Sequence, residues 1–168
     1  MHYEVPGVQL IEQDKNMACW FASAMMVVNW AEYYRANPLR RECSVIDAQT
    51  LAMYKANNGI QNKQIIPLAK RLGLDYVPPL CPSATALLNW LQYYGPLWTN
   101  GTSHIVVIAG IRGDDLLGYE VKVYDPWPGN GIGWRSLSGW YAGFDPVQAN
   151  VSSRDTSSDV EAVFLRAA

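Results

Sequence analysis

The chain has 168 residues and a mass of 18.8 kDa, which fits one domain. Folding a chain of this size removes about 70% of its accessible surface, so a core forms without disulfide staples. Thirteen basic and fifteen acidic residues leave a net charge of -2, and charged residues are only 17% of the total. That balance excludes an electrostatic nucleic-acid binder, and an apolar content of 49% with 12% aromatics excludes disorder.

In chain order, Met1 to Asn16 carries Glu4, Glu12, Asp14 and Lys15 without an apolar core, so it is not a secretory signal peptide. Asn16 is placed to cap a helix through Met17–Ala36, ended ahead of Pro38. The apolar run Met17 to Val28 inside it is far short of the roughly 20 residues that span a bilayer, so no membrane partner is expected. Asp47 caps a second helix to about Asn57, with Gly59 just beyond. Ile65, Ile66, Leu68, Ala69 and Leu72 recur at helical spacing up to Gly73, and Pro67 either starts that helix or kinks it. Ser83 caps a fourth helix, Ala84–Tyr94, closed by Gly95-Pro96.

The second half changes to strand periodicity: Pro96–Thr99, His104–Arg112, Tyr119–Tyr124 and a last strand at Asp159–Arg166, with a turn from Pro126 to Gly133. Helices followed by strands predict an α+β domain, with a helical lobe over about 1–95 packed on an antiparallel sheet lobe over about 96–168. The segment Gly139–Asp159 is the least determined, and no internal repeat is visible.

Cysteine and histidine are scarce. Cys19, Cys43 and Cys81 have the wrong parity for a disulfide framework, and no C-x-x-C pair exists. With His2 in the N-terminal tail, a metal site has almost no ligands, so neither metal nor cofactor is expected. Cys19 falls in the first turn of a long helix, where exposed N–H groups and the helix dipole favour a thiolate; position alone favours a small buried apolar residue. A thiol nucleophile commonly needs a base to carry its proton. Once His2 is set aside, His104 alone is available, at the head of a Val/Ile-rich strand. Asp125 ends the following strand, where its carboxylate is able to orient the imidazole. Trp127 is placed to cover the His–Asp contact, although Asp-Pro is also an ordinary turn start and tryptophan ordinary core.

Taken together, these residues resemble the papain-like cysteine peptidases. The order Cys19, His104, Asp125 follows theirs, with aspartate where papain has asparagine. Ala18-Cys19-Trp20 matches the small-Cys-aromatic signature. Gln13 precedes Cys19 by six residues, the family spacing of the glutamine that forms the oxyanion hole with the nucleophile's own N–H, and Asp125-Pro126-Trp127-Pro128-Gly129 sits where the family carries Asn-Ser-Trp-Gly. The Cys-Gly that opens the papain motif is replaced by Asn16-Met17. His104 and Asp125 follow Cys19 by 85 and 106 residues, against about 130–150 in papain and the cathepsins. The similarity is therefore to compact bacterial members: avirulence-type effector peptidases and the bacteriocin-processing peptidase domains of ABC exporters. It covers about Val8 to Gly133.

The resemblance implies a cysteine endopeptidase with Cys19, His104 and Asp125 as its triad. Gln13 and Cys19 form the oxyanion hole, Trp20 and Trp127 support the site, and a protein or peptide is the substrate. With Cys19-Trp20 in place of Cys-Gly, an effector or toxin is favoured over leader processing. It would be secreted without a Sec signal and act in the cytoplasm of a target cell. No long pro-region precedes Gln13, so restraint is expected from a cognate immunity or inhibitor protein, from delivery, or from a factor in the target. The same triad serves a glutamine deamidase or a transglutaminase, and a degenerate cleft would serve as a peptide-binding module. Cys43 and Cys81 are read as structural. The sequons at Asn100 and Asn150 are discounted for want of a secretory signal, and Gly129–Gly133 is read as a flexible rim of the cleft.

Overall fold

A computed structural model of the chain describes residues 1–35, 46–77, 82–100, 104–138 and 164–168. Four helices and seven strands lie among them: β1 (His2–Glu4), α1 (Cys19–Asn29), α2 (Ala48–Lys55), α3 (Ile65–Leu72), β2 (Leu74–Val77), α4 (Ala84–Tyr94), β3 (Leu97–Asn100), β4 (Ile105–Asp114), β5 (Gly118–Tyr124), β6 (Ile132–Ser136) and β7 (Phe164–Ala167). The strands make one antiparallel sheet in the order β2-β7-β3-β4-β5-β6. β1 pairs with the far half of β4, Tyr3 facing Ile111.

β4 is the spine of the sheet. Ile105 through Ile111 are all buried, which requires cover on both faces, and α1 packs against it. α1 is apolar nearly all round, with Trp20, Ala22, Ala24, Met26, Val27 and Val28 buried, the pattern of a helix inside a core. Two hydrogen bonds fix its placement. Ser23 donates to the Ile105 carbonyl at 3.3 Å, and the Trp98 indole on β3 donates to the Trp20 carbonyl at 3.1 Å. The residue after His104 is thereby tied directly to the helix that carries Cys19.

The caps follow the sequence where a polar side chain is free to act. Asp47 accepts from Thr50 N–H and Ser83 from Ala86 N–H. Pro67 occupies the first turn of α3, where its missing N–H has no intrahelical partner to lose. Gly73 ends α3 in the left-handed region at φ 66 and turns the chain into β2.

α1 departs from expectation at both ends. It begins at Cys19, not Met17, because the Met17 N–H is taken by the Asn57 side chain and the Asn16 carbonyl by Gln13. Past Asn29 the helix widens into a π-helical stretch, Trp30–Tyr34, in which Arg35 N–H reaches back to the Trp30 carbonyl. The expected end at Ala36 lies outside the described residues.

The two halves are less separate than the change in periodicity implies. β1 and β2, from the first 95 residues, join the sheet, so His2 stands in a strand rather than a tail. The Pro126–Gly133 turn is shorter than expected, since Ile132 and Gly133 already belong to β6. β7 starts at Phe164, and the earlier part of its expected span, Asp159 to Val163, lies outside the described residues.

Candidate active site

Cys19 is the first residue of α1, a reduced cysteine partly open to solvent. His104 stands one residue before β4 and Asp125 one residue after β5. Because these strands are antiparallel neighbours, with Val107 facing Tyr124, the start of one and the end of the other meet at the same edge. There His104 Nε2 lies 2.6 Å from Asp125 Oδ1. Cys19 and His104 line the same cleft, and the thiol beside the imidazole raises its proton affinity.

Asp125 is fully buried, and each of its oxygens has two donors. Oδ1 accepts from His104 and from the Trp127 N–H at 2.9 Å. Oδ2 accepts from Asn130 Nδ2 at 3.1 Å and from the buried Arg135 Nη2 at 3.3 Å. Burial pushes the Asp125 carboxyl up, but the hydrogen bond and charge of His104, with the Trp127 N–H and Asn130 amide, hold it below the usual carboxylate range. Burial likewise pushes His104 down. The hydrogen bonds to Asp125 and Cys19, and the charges of both, outweigh it and raise the imidazole from 6.5 to about 9. A histidine so placed is an imidazolium at neutral pH, the partner a thiolate requires.

Gln13 is buried beside the site. Its amide Nε2 donates to the Lys15 and Asn16 carbonyls at 2.9 and 3.0 Å, so both amide hydrogens are engaged within the loop that leads to Cys19. Its backbone N–H donates to the Pro126 carbonyl at 2.7 Å, and Glu12 accepts from Gly129 N–H at 3.1 Å. The nucleophile loop and the Asp-Pro turn are thus stitched together. Trp20 is buried, and its indole N–H bonds the Asn58 carbonyl at 2.9 Å. Trp127 contributes its backbone N–H to Asp125, while its indole is 44% exposed on the cleft wall.

The cleft over Cys19 and His104 has a volume of about 650 Å³. Met17, Ile60 and Ile65 give it apolar wall, and Asn16, Asn62 and Asn130 give it amides. Among the described residues, its lining carries no ionisable group apart from Cys19 and His104. Among the described residues no cluster of three or more His, Cys, Asp or Glu is able to hold a metal ion.

Sequence reasoning missed Asn130, Arg135, Glu12 and Asn57. The first two depend on how the turn closes, with Asp125 N–H on the Gly131 carbonyl and Asn130 N–H on Trp127; Gly129–Gly133 is a hydrogen-bonded turn entering β6. Asn100 is buried at the end of β3, which removes it as a glycan acceptor. Cys43, Cys81 and Asn150 lie outside the described residues.

Compared with known families, residues 1–147 match the family described as papain-like cysteine protease AvrRpt2. No curated protein matches the chain. Among solved structures, the crystal structure of UfSP from C. elegans matches with a TM-score of 0.56 at 15% identity, over 99% of this chain and 33% of that one. The chain thus spans about a third of that protein's length, and this likeness speaks for the fold alone. The family match covers most of the chain, and the chain belongs to the papain-like cysteine protease family AvrRpt2, with the α+β fold predicted from its sequence.

Proposed function

We propose that this cysteine protease cleaves a protein substrate through Cys19, His104 and Asp125. The observation that carries the reading is the buried carboxylate 2.6 Å from the histidine that lines one cleft with the helix-start cysteine. The Cys19 thiolate attacks the carbonyl carbon of the scissile peptide bond, and the oxygen becomes an oxyanion. Collapse expels the amine, which leaves with the proton of the His104 imidazolium, and a thioester to Cys19 remains. His104 then takes a proton from water as its oxygen attacks the thioester, and the acid product and the thiolate–imidazolium pair are released. Asp125 keeps the imidazole in the required tautomer throughout.

The oxyanion is received by the Cys19 N–H and by Gln13, whose amide gives up one of its two carbonyl acceptors to do so. Such a donor is worth about 10²–10³ in turnover. The described lining of the cleft, with amides and apolar side chains around Cys19 and His104, suits an uncharged stretch of polypeptide.

We place the enzyme as an effector or toxin acting in the cytoplasm of a target cell, restrained by a cognate immunity or inhibitor protein. The supports are the AvrRpt2 family and the resemblance to effector peptidases. The test is expression of wild type and Cys19→Ala in recipient cells, with new protein N-termini mapped by mass spectrometry. New termini with wild type alone are expected. Intact proteins carrying a one-dalton gain would instead make the enzyme a deamidase, and an equal biological effect from both forms would make it a binding module.

A further inference from the structure

We propose that Arg135 is a positioning residue of this site: its buried guanidinium helps anchor Asp125 Oδ2, leaving Oδ1 for His104, and sets a positive charge on the side of the carboxylate away from the imidazole. The inference rests on the triad reading above. Asp125 and the Arg135 side chain are 0% and 3% exposed, and Nη2 lies 3.3 Å from Oδ2. Oδ1, the oxygen on the far side of the carboxylate, meets His104. Asn130 Nδ2 shares Oδ2 at 3.1 Å, so loss of Arg135 leaves that oxygen a single neutral donor and holds the carboxylate less firmly toward His104.

Charge gives the second reason. The Asp125 carboxylate lies between two cationic side chains, His104 at Oδ1 and Arg135 at Oδ2. Among the described residues, Cys19 at the start of α1 stands beside the imidazole, and the Glu12 carboxylate accepts from Gly129 N–H in the turn between Asp125 and Arg135. Arg135 opposes the imidazolium through Asp125, so its loss lets His104 bind its proton more tightly.

The chain has two histidines, His2 and His104, so nuclear magnetic resonance of the labelled imidazoles gives two titrations and needs no substrate. In the wild type the His104 midpoint is expected near 9, raised by Asp125 and Cys19. In R135Q, which keeps an amide donor but no charge, the midpoint rises by about half to one pH unit, roughly three- to ten-fold in proton affinity. R135K returns it to the wild-type position. If R135Q does not fold, R135M fills the same space without a buried amide and carries the measurement. A folded neutral variant with an unmoved His104 midpoint would overturn the role. So would loss of fold in both neutral variants while R135K folds, because Arg135 would then belong to the scaffold alone. Iodoacetamide labelling separates this from failure of the triad. If wild-type Cys19 reacts no faster than Cys19 in His104→Ala, the triad falls whatever Arg135 does.

Discussion

Around Cys19 the fixing contacts are neutral and reach backbone atoms; around Asp125 they are charged and converge on one carboxylate. The nucleophile's surroundings are set by Asn57 on the Met17 N–H, by the Trp20 indole on the Asn58 carbonyl and by Ser23 on the Ile105 carbonyl. The carboxylate's surroundings are His104, Arg135, the Asn130 amide and the Trp127 N–H. Neutral contacts place the sulfur and do not titrate. Ionic contacts set the proton affinity of the base and make that end of the site sensitive to pH. The geometry of the nucleophile and the chemistry of its base are therefore separable by mutation.

The widest contrast is between Cys19→Ala and Asp125→Ala. Cys19→Ala is expected to abolish peptide cleavage, on the order of 10⁴-fold or more, while chemical denaturation shows stability within about 1 kcal/mol of wild type. Asp125→Ala is expected to lose activity and about 3–5 kcal/mol together, because it removes the buried carboxylate that both Arg135 and His104 meet. Equal stability in the two variants would break the comparison.

The pH dependence sharpens it. His104 has a raised pKa, so the stability it contributes is complete below 6.5 and is lost as pH rises through about 9. Asp125 has a depressed pKa, so its contribution is present above the ordinary carboxylate range and is lost as pH falls through the depressed value. Unfolding curves from acid to alkaline pH should show a plateau between these limits, and cleavage should decline on an alkaline limb near 9. In Cys19→Ala the alkaline loss of stability should come at lower pH, since Cys19 is one of the groups that raise His104.

Smaller effects belong to the neutral end. Asn57→Ala removes the acceptor of the Met17 N–H and should lower stability by about 0.5–1.5 kcal/mol, with kcat reduced and the His104 midpoint unchanged. The smallest is Tyr54→Phe. Tyr54 donates to Asp14 and stacks on Phe21 at 4.2 Å, at the surface of the nucleophile loop. Its loss should cost under about 1 kcal/mol and leave the alkaline limb in place.

Part of this was legible in the sequence and part was not, for one physical reason. Gln13, Cys19 and Trp20 share a short segment, and Asp47, Ser83 and Gly73 act on their own helix ends, so local spacing exposes them. α3 was readable for the same reason, and Pro67 resolved to its first turn because that is where a missing N–H does least harm. His104 and Asp125 were readable because each flanks a strand rich in β-branched residues. Arg135 was not, because its burial depends on the register of β6, five residues long, against β5. β1 and β2, three and four residues long, are too short to show alternation, and their pairing with β4 and β7 depends on residues far along the chain. The helix start moved to Cys19 because Asn57, 40 residues away, takes the Met17 N–H.

The stitch between Glu12–Gln13 and Pro126–Gly129 has a bearing on how the molecule acquires its reactivity. The Gly129–Glu12 bond joins residues 117 positions apart, and Ser23 reaches Ile105 across 82. Contacts of such long reach close large loops, and chains dominated by them fold slowly. A newly made or refolding chain therefore carries Cys19 as an ordinary thiol until β4 and β5 have paired and the Asp125 turn has closed on the nucleophile loop. Its reactive sulfur matures with the last long-range contacts, and rapid alkylation of Cys19 should lag behind the recovery of helical signal during refolding.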